Sequence, residues 1–167
     1  MCAGVEFRAA DKVRKLYFAG ENAALPVLLE DGEGVEWIRW GRRKTEKSSA
    51  PPGGWARLTA IRAGDWNMYS PRQGVVTVDR FLQGERASAL RGRRLSQWVD
   101  VPRGQGVQCL VIGEGEDRRA YIVTTSPPAK CKLLGDRWPS LVDLPATPPM
   151  PMPSQALVTP NDRPVPA

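Results

Sequence analysis

The chain has 167 residues, 24 of them Lys or Arg against 18 Asp or Glu, for a formal net charge of +6, and it contains no histidine. That length suits one domain, and the positive balance favours phosphate backbones as partners. Without histidine, one chain cannot build a Ser-His-Asp or Cys-His nucleophile pair, a histidine-ligated zinc hydrolase or a His-containing zinc deaminase.

Taken in chain order, Ala10 to Tyr17 reads as a short helix. Leu25 to Glu30, ending at Asp31–Gly32, reads as a strand. Gly34 to Trp40 alternates apolar and polar residues, as a half-buried strand does. The SSAPPGG stretch at 48–54 is a loop, and Val78 to Leu90, with Asp79 near its start, is a second helical candidate. Gly106 to Ile112 and Arg119 to Thr125 form a buried hairpin whose turn lies in the GEGEDR segment, 113–118. From Pro145 onward eight of 23 residues are proline, so a disordered or extended tail, 145–167, follows a folded domain at 1–144. Few helices among many strands predict an α+β domain with a mixed, strand-rich core. The apolar runs fall well short of the roughly 20 residues of a membrane span, and no signal pattern opens the chain. A soluble cytoplasmic protein is expected. Three cysteines (Cys2, Cys109, Cys131) without metal-like or CxxC spacing fit a reducing compartment and exclude a Cys₄ zinc site. Neither a metal nor a cofactor is expected.

Three constellations carry chemistry. Removal of Met1 turns Cys2 into a 1,2-aminothiol: an amine of reference pKa about 7.7–8.0 beside a thiol near 8.5. Such an amine condenses with an aldehyde to a Schiff base, and the thiol closes a five-membered thiazolidine. Second, six tryptophans (Trp37, Trp40, Trp55, Trp66, Trp98, Trp138) sit among Arg39, Arg42, Arg43, Arg57, Arg62 and Arg137. Aromatics stack on unpaired bases while arginines hold phosphates, although at least half of these tryptophans are expected in the core. Third, Arg86, Arg91, Arg93 and Arg94 form a basic run, either a loop beside DNA or a solvated face.

The order of these pieces resembles the SOS response-associated peptidase family, whose members process abasic sites. Met1–Cys2–Ala3–Gly4 resembles its Met-Cys-Gly-Arg opening, and Trp40–Gly41–Arg42 its Trp-Gly-Leu motif. Trp55 to Ile61 is similar to Asn-Ala-Arg-Ala-Glu, Val76 to Gln83 to the segment ending Phe-Tyr-Glu-Trp, and Gly135 to Pro139 to His-Asp-Arg-Met-Pro. The resemblance implies a mixed sheet or partly closed barrel, a monomer, and a partner in single-stranded DNA containing abasic sites. It makes Cys2 the cross-linking residue, with Trp55, Arg57, Gln83 and Gly135 as site neighbours and Trp40, Arg42, Arg57 and Arg137 as DNA contacts. It also implies a peptidase activity that removes the leading methionine. Trp55, Gln83 and Gly135 stand where the family has asparagine, glutamate and histidine. Glutamine keeps the shape of glutamate but shuttles no proton, and a slip of two residues would put Glu85 there instead. A non-covalent nucleic-acid-binding module or a protein-interaction module of the same fold is the alternative.

Overall fold

The computed structural model describes residues 2–84 and 96–145. Its strands are β1 (Cys2–Ala9), β2 (Lys12–Tyr17), β3 (Ala24–Leu29), β4 (Val35–Arg39) and β5 (Trp55–Arg57). The short helix α1 (Leu58–Arg62) precedes β6 (Arg72–Val76), β7 (Arg80–Gly84) and β8 (Ser96–Asp100). Then come β9 (Gln105–Ile112), β10 (Arg119–Thr125), β11 (Trp138–Pro139) and β12 (Leu141–Asp143). Four strands form an antiparallel sheet in the order β2-β1-β7-β8. The larger sheet runs β11-β10-β9-β6-β3-β4, with β12 added to β9 and β5 lying parallel to β10. The domain is therefore strand-rich α+β with a mixed sheet, and its sheets do not close into a barrel.

One core lies between the sheets. Val5, Phe7 and Phe81 of the small sheet meet Leu25, Val27, Ile38, Val76, Val107, Cys109 and Ile122 of the large one. The opposite face of the large sheet carries Leu110, Ile112, Tyr121 and Val123, covered by Leu58 and Ile61 of α1 and by Trp66 and Tyr69. β9 and β10 are thus covered on both faces, which is why they read as nearly unbroken apolar runs. Tyr121 also anchors the 48–54 loop, its hydroxyl donating to Pro51 O at 2.7 Å.

The expected strands at 25–30, 34–40, 106–112 and 119–125 are present within a residue or so. The two expected helices are not. Lys12 to Tyr17 pairs antiparallel with β1, and the connection is a two-residue turn at Ala10 and Asp11 with φ of 46° and 61°. Two left-handed residues give the hairpin turn whose twist matches the strands it joins, and cross-strand pairing outweighs the local helix preference of Lys, Arg and Leu. Within 78–90, residues 80–84 are β7: Phe81 and Gln83 are buried while the intervening positions are only partly covered, a period of two. Residues 85–95, with Glu85, Arg86, Arg91, Arg93 and Arg94, lie outside the described residues, as does the chain from 146. No helix among the described residues is long and apolar enough to cross a membrane.

Alanine and aspartate are poor choices for consecutive left-handed positions, whereas Asn-Gly is the favoured pair. Ala10→Asn with Asp11→Gly should stabilise the protein by about 1 kcal/mol and raise the melting temperature by a few degrees. A lowered melting temperature would contradict the turn.

Candidate functional site

Strand parity alone would aim Cys2 away from the core. Val5 and Phe7 face the core, so Gly4 and Glu6 face outward, and Cys2 would follow Gly4. The register with β7 shifts instead: Gly4 opposes Leu82, but Cys2 opposes Gln83, leaving Ala3 as an extra residue. This β-bulge turns the Cys2 side chain inward, where it is 1% exposed and joins the core cluster. Its thiol donates to Gly4 O at 3.5 Å. Burial pushes the Cys2 thiol up to about 12, only partly offset by that hydrogen bond. At neutral pH the sulfur is therefore a thiol and not a thiolate.

Gln83 is fully buried and carries the next link. Its Nε2 donates to Leu134 O at 3.1 Å and to Arg137 O at 2.7 Å. Two carbonyl acceptors fix which end of the amide faces them, and Oε1 is left buried without a partner. A carboxylate in the same place would oppose both carbonyls. Gln83 is therefore a clamp holding the 134–137 segment to β7, and glutamate could not replace it without cost. Gly135, inside the clamped segment, has φ 129° and ψ 175°, a backbone region essentially restricted to glycine. The absence of a histidine here thus has a conformational cause: the chain path admits no side chain without strain.

Beyond the clamp, Arg137 lines a cleft of about 140 Å³ with Arg57, Arg62, Asp136 and Thr124. The parallel pairing of β5 with β10 sets Arg57 opposite Thr124. Thr124 is 2% exposed and its hydroxyl is buried without a partner. The side chains of Arg57 and Arg62 make no hydrogen bond or ion pair among the described residues. Among the described lining residues three guanidinium groups stand against one carboxylate, a balance suited to a phosphate or another oxyanion.

Trp40 and Trp55 have a more structural setting than an open stacking surface. Trp40 stacks on Phe18 at 4.7 Å and 8°, and Trp55 meets Trp40 edge-on at 4.8 Å. Both rings are partly buried against the core cluster that holds Cys2, and both indole nitrogens are buried without partners. Phe18 in turn donates its backbone N–H to Ala3 O, at the bulge. Arg42 donates to Ala50 O and, at 2.9 Å, to Glu46 O, so its guanidinium holds the 42–54 loop. Of the other tryptophans, Trp138 is buried and Trp37 is 55% exposed.

The structure therefore brings Cys2, Gln83, Gly135 and Arg137 into one connected unit, with Arg57 across the adjoining cleft. It places Trp40 and Trp55 in an aromatic cluster behind the bulge and engages Arg42 in a loop. Sequence reasoning missed Thr124 and Phe18, and it named Arg62 only within the wider tryptophan–arginine set. Thr124 stands in an apolar strand with no motif to mark it, and Phe18 fell at the end of a segment read as helix. No group of acidic, cysteine or histidine side chains capable of holding a metal ion occurs among the described residues. No family model matches the chain, and no curated protein matches it.

Two outcomes follow. Cys2 and Cys109 are buried, with both thiols pushed up to about 12, while Cys131 is partly exposed. A disulfide reagent at pH 8 should titrate Cys131 rapidly and the other two only in denaturant, and Cys131→Ala should remove the fast phase. A fast phase surviving that substitution would contradict the buried setting of Cys2. Gln83→Glu should lower stability by about 3 kcal/mol at pH 7.5, measured from denaturant midpoints against wild type. The introduced carboxyl would have a folded pKa raised above its unfolded value near 4.3, so the loss should grow as pH rises through that value and be smallest below it. An unchanged midpoint at pH 7.5 would rule out the amide clamp.

Proposed function

We propose that this protein binds single-stranded DNA and captures abasic sites covalently through Cys2, on a fold of the SOS response-associated peptidase type. The observation that carries the reading is the bulge at Ala3: it departs from strand parity to set the buried Cys2 opposite Gln83, which donates to the backbone carbonyl of Arg137, a lining residue of the cleft that it shares with Arg57. Removal of Met1 would free the Cys2 amine. That amine adds to C1′ of the open-chain sugar aldehyde and expels water, giving a Schiff base. The neutral Sγ–H then adds across the C=N bond, sulfur bonding to C1′ and the proton passing to nitrogen. Amine, aldehyde and thiol give a thiazolidine and one water.

Arg57, Arg62 and Arg137, with the Thr124 hydroxyl, would hold a flanking phosphodiester in the cleft. The unpartnered Oε1 of Gln83 would accept from the liberated ammonium and orient it. Gln83 cannot return a proton to the ring nitrogen as a glutamate would, so ring opening should be slow and the cross-link long-lived. A second reading, a non-covalent single-strand binder of the same architecture, is favoured by the clamp role of Gln83 and by the glycine-only backbone at Gly135.

Incubation with an abasic single-stranded oligonucleotide followed by denaturing electrophoresis separates the two. The covalent reading expects a shifted band that Cys2→Ala removes, formed faster as pH rises through about 7.7–8.0, where the amine loses its proton. Arg57→Ala with Arg137→Ala should slow it at least tenfold. No band, with salt-sensitive binding retained in a native gel, overturns the covalent reading in favour of the second.

A further inference from the structure

The outward face of the four-stranded sheet is built unlike its core face. Strand register sets Tyr17, Gly4, Leu82 and Trp98 in one row across β2, β1, β7 and β8. The next row is Lys15, Glu6, Arg80 and Asp100. Tyr17 is 51% exposed, and its ring meets the partly exposed Trp98 at 6.3 Å and 67°. Between them Gly4 leaves a low floor, since a Cβ there would stand 3.4 Å from Tyr17 Cδ1 and 2.6 Å from Leu16 O. Lys15 Nζ lies 5.3 Å from the centroid of Trp98. Glu6 is nearly buried and has two cations on it, Lys15 at 3.7 Å and Arg80 at 3.6 Å. By strand parity this face carries Arg8, Lys15 and Arg80 against Glu6 and Asp100, and Arg80 also pairs with Asp100 at 2.9 Å.

A peptide-docking face would need a contiguous apolar surface, and here the aromatic row is bordered by a charged one. Exposed rings with a cation over one of them, on a net-positive sheet face, match the chemistry of unpaired nucleotides instead: bases stack on the rings and phosphates meet the ammonium and guanidinium groups. We propose that this face is a second surface for single-stranded nucleic acid, on the opposite side of β1 from Cys2, with Tyr17 and Trp98 as its stacking residues and Lys15 and Arg80 beside the backbone. It shares a partner class with the function proposed above but requires neither Met1 removal nor the Cys2 thiol. The two faces of one strand would then divide the work, one gripping undamaged nucleotides and the other meeting the aldehyde.

The test is fluorescence anisotropy of a labelled oligothymidylate without abasic sites, titrated at low salt. Tyr17→Ala and Trp98→Ala should each weaken binding about tenfold or more, the usual effect of losing one stacked base. Tyr17→Phe should stay within about twofold, and Lys15→Ala should lower the salt slope by about one. Should Tyr17→Ala fail to fold, quenching of tryptophan fluorescence by the same oligonucleotide, compared between wild type and Trp98→Phe, decides the point. Wild-type affinity in folded Tyr17→Ala and Trp98→Ala, equal quenching in Trp98→Phe, or no binding by wild type overturns the proposal. Loss of the abasic cross-link with Tyr17-dependent oligothymidylate binding intact would defeat the Cys2 reading alone.

Discussion

The arrangement of the candidate site depends on a single extra residue in an edge-proximal strand. β1 lies between β2 and β7, and its ladder with β7 stays regular from Glu6 back to Gly4. Without the bulge at Ala3, Cys2 would share the outward face with Gly4 and Glu6. With it, Cys2 enters the core beside Gln83. Ala3 is held there by Phe18, which donates to its carbonyl and stacks on Trp40, so the aromatic cluster that looks like a ligand platform in sequence also fixes the bulge. Bulges are common where a strand must re-aim a side chain, and the cost of an unpaired residue is accepted for the direction obtained.

From that pivot the remaining chemistry follows by contact. Gln83 transmits the position of β1 to the 134–137 segment through two hydrogen bonds from one amide, both to backbone carbonyls. The segment in turn presents Arg137 to the cleft shared with Arg57 and Thr124. An amide does this better than an acid because it offers two donors and stays neutral when buried. The same feature leaves no ionisable group at position 83.

Much of the large sheet was legible in the sequence because its signal is compositional. β9 and β10 are buried nearly throughout and bounded by glycine or acidic turn residues, whereas in β4 the alternation misleads, since Val35 and Trp37 are exposed and Ile38 is the buried residue. The small sheet was harder. β2 is exposed along almost its whole length, so KVRKLY shows no burial period to reveal a strand, and its turn uses Ala10 and Asp11 rather than a recognisable Asn-Gly. β7 is short, and its inward positions pair an aromatic with a glutamine, so the alternation is hidden by a polar residue in the core. Cys2, Gln83, Arg57 and Arg137 could be named from motif order alone. What joins them could not, because a register shift and the orientation of a buried amide arise from tertiary pairing and leave no local pattern. Arg42 shows the converse: a motif position whose guanidinium serves the loop that follows it.

The central claim is that the head of β1 meets a sugar aldehyde with both nucleophiles of one residue. Peptide mapping by mass spectrometry, after the protein reacts with abasic single-stranded DNA and the DNA is digested away, tests it most directly. The N-terminal peptide should begin at Cys2, without Met1, and should carry the sugar remnant on that residue without any reducing agent. An unmodified Cys2 peptide, or one still headed by Met1 after full reaction, would contradict it.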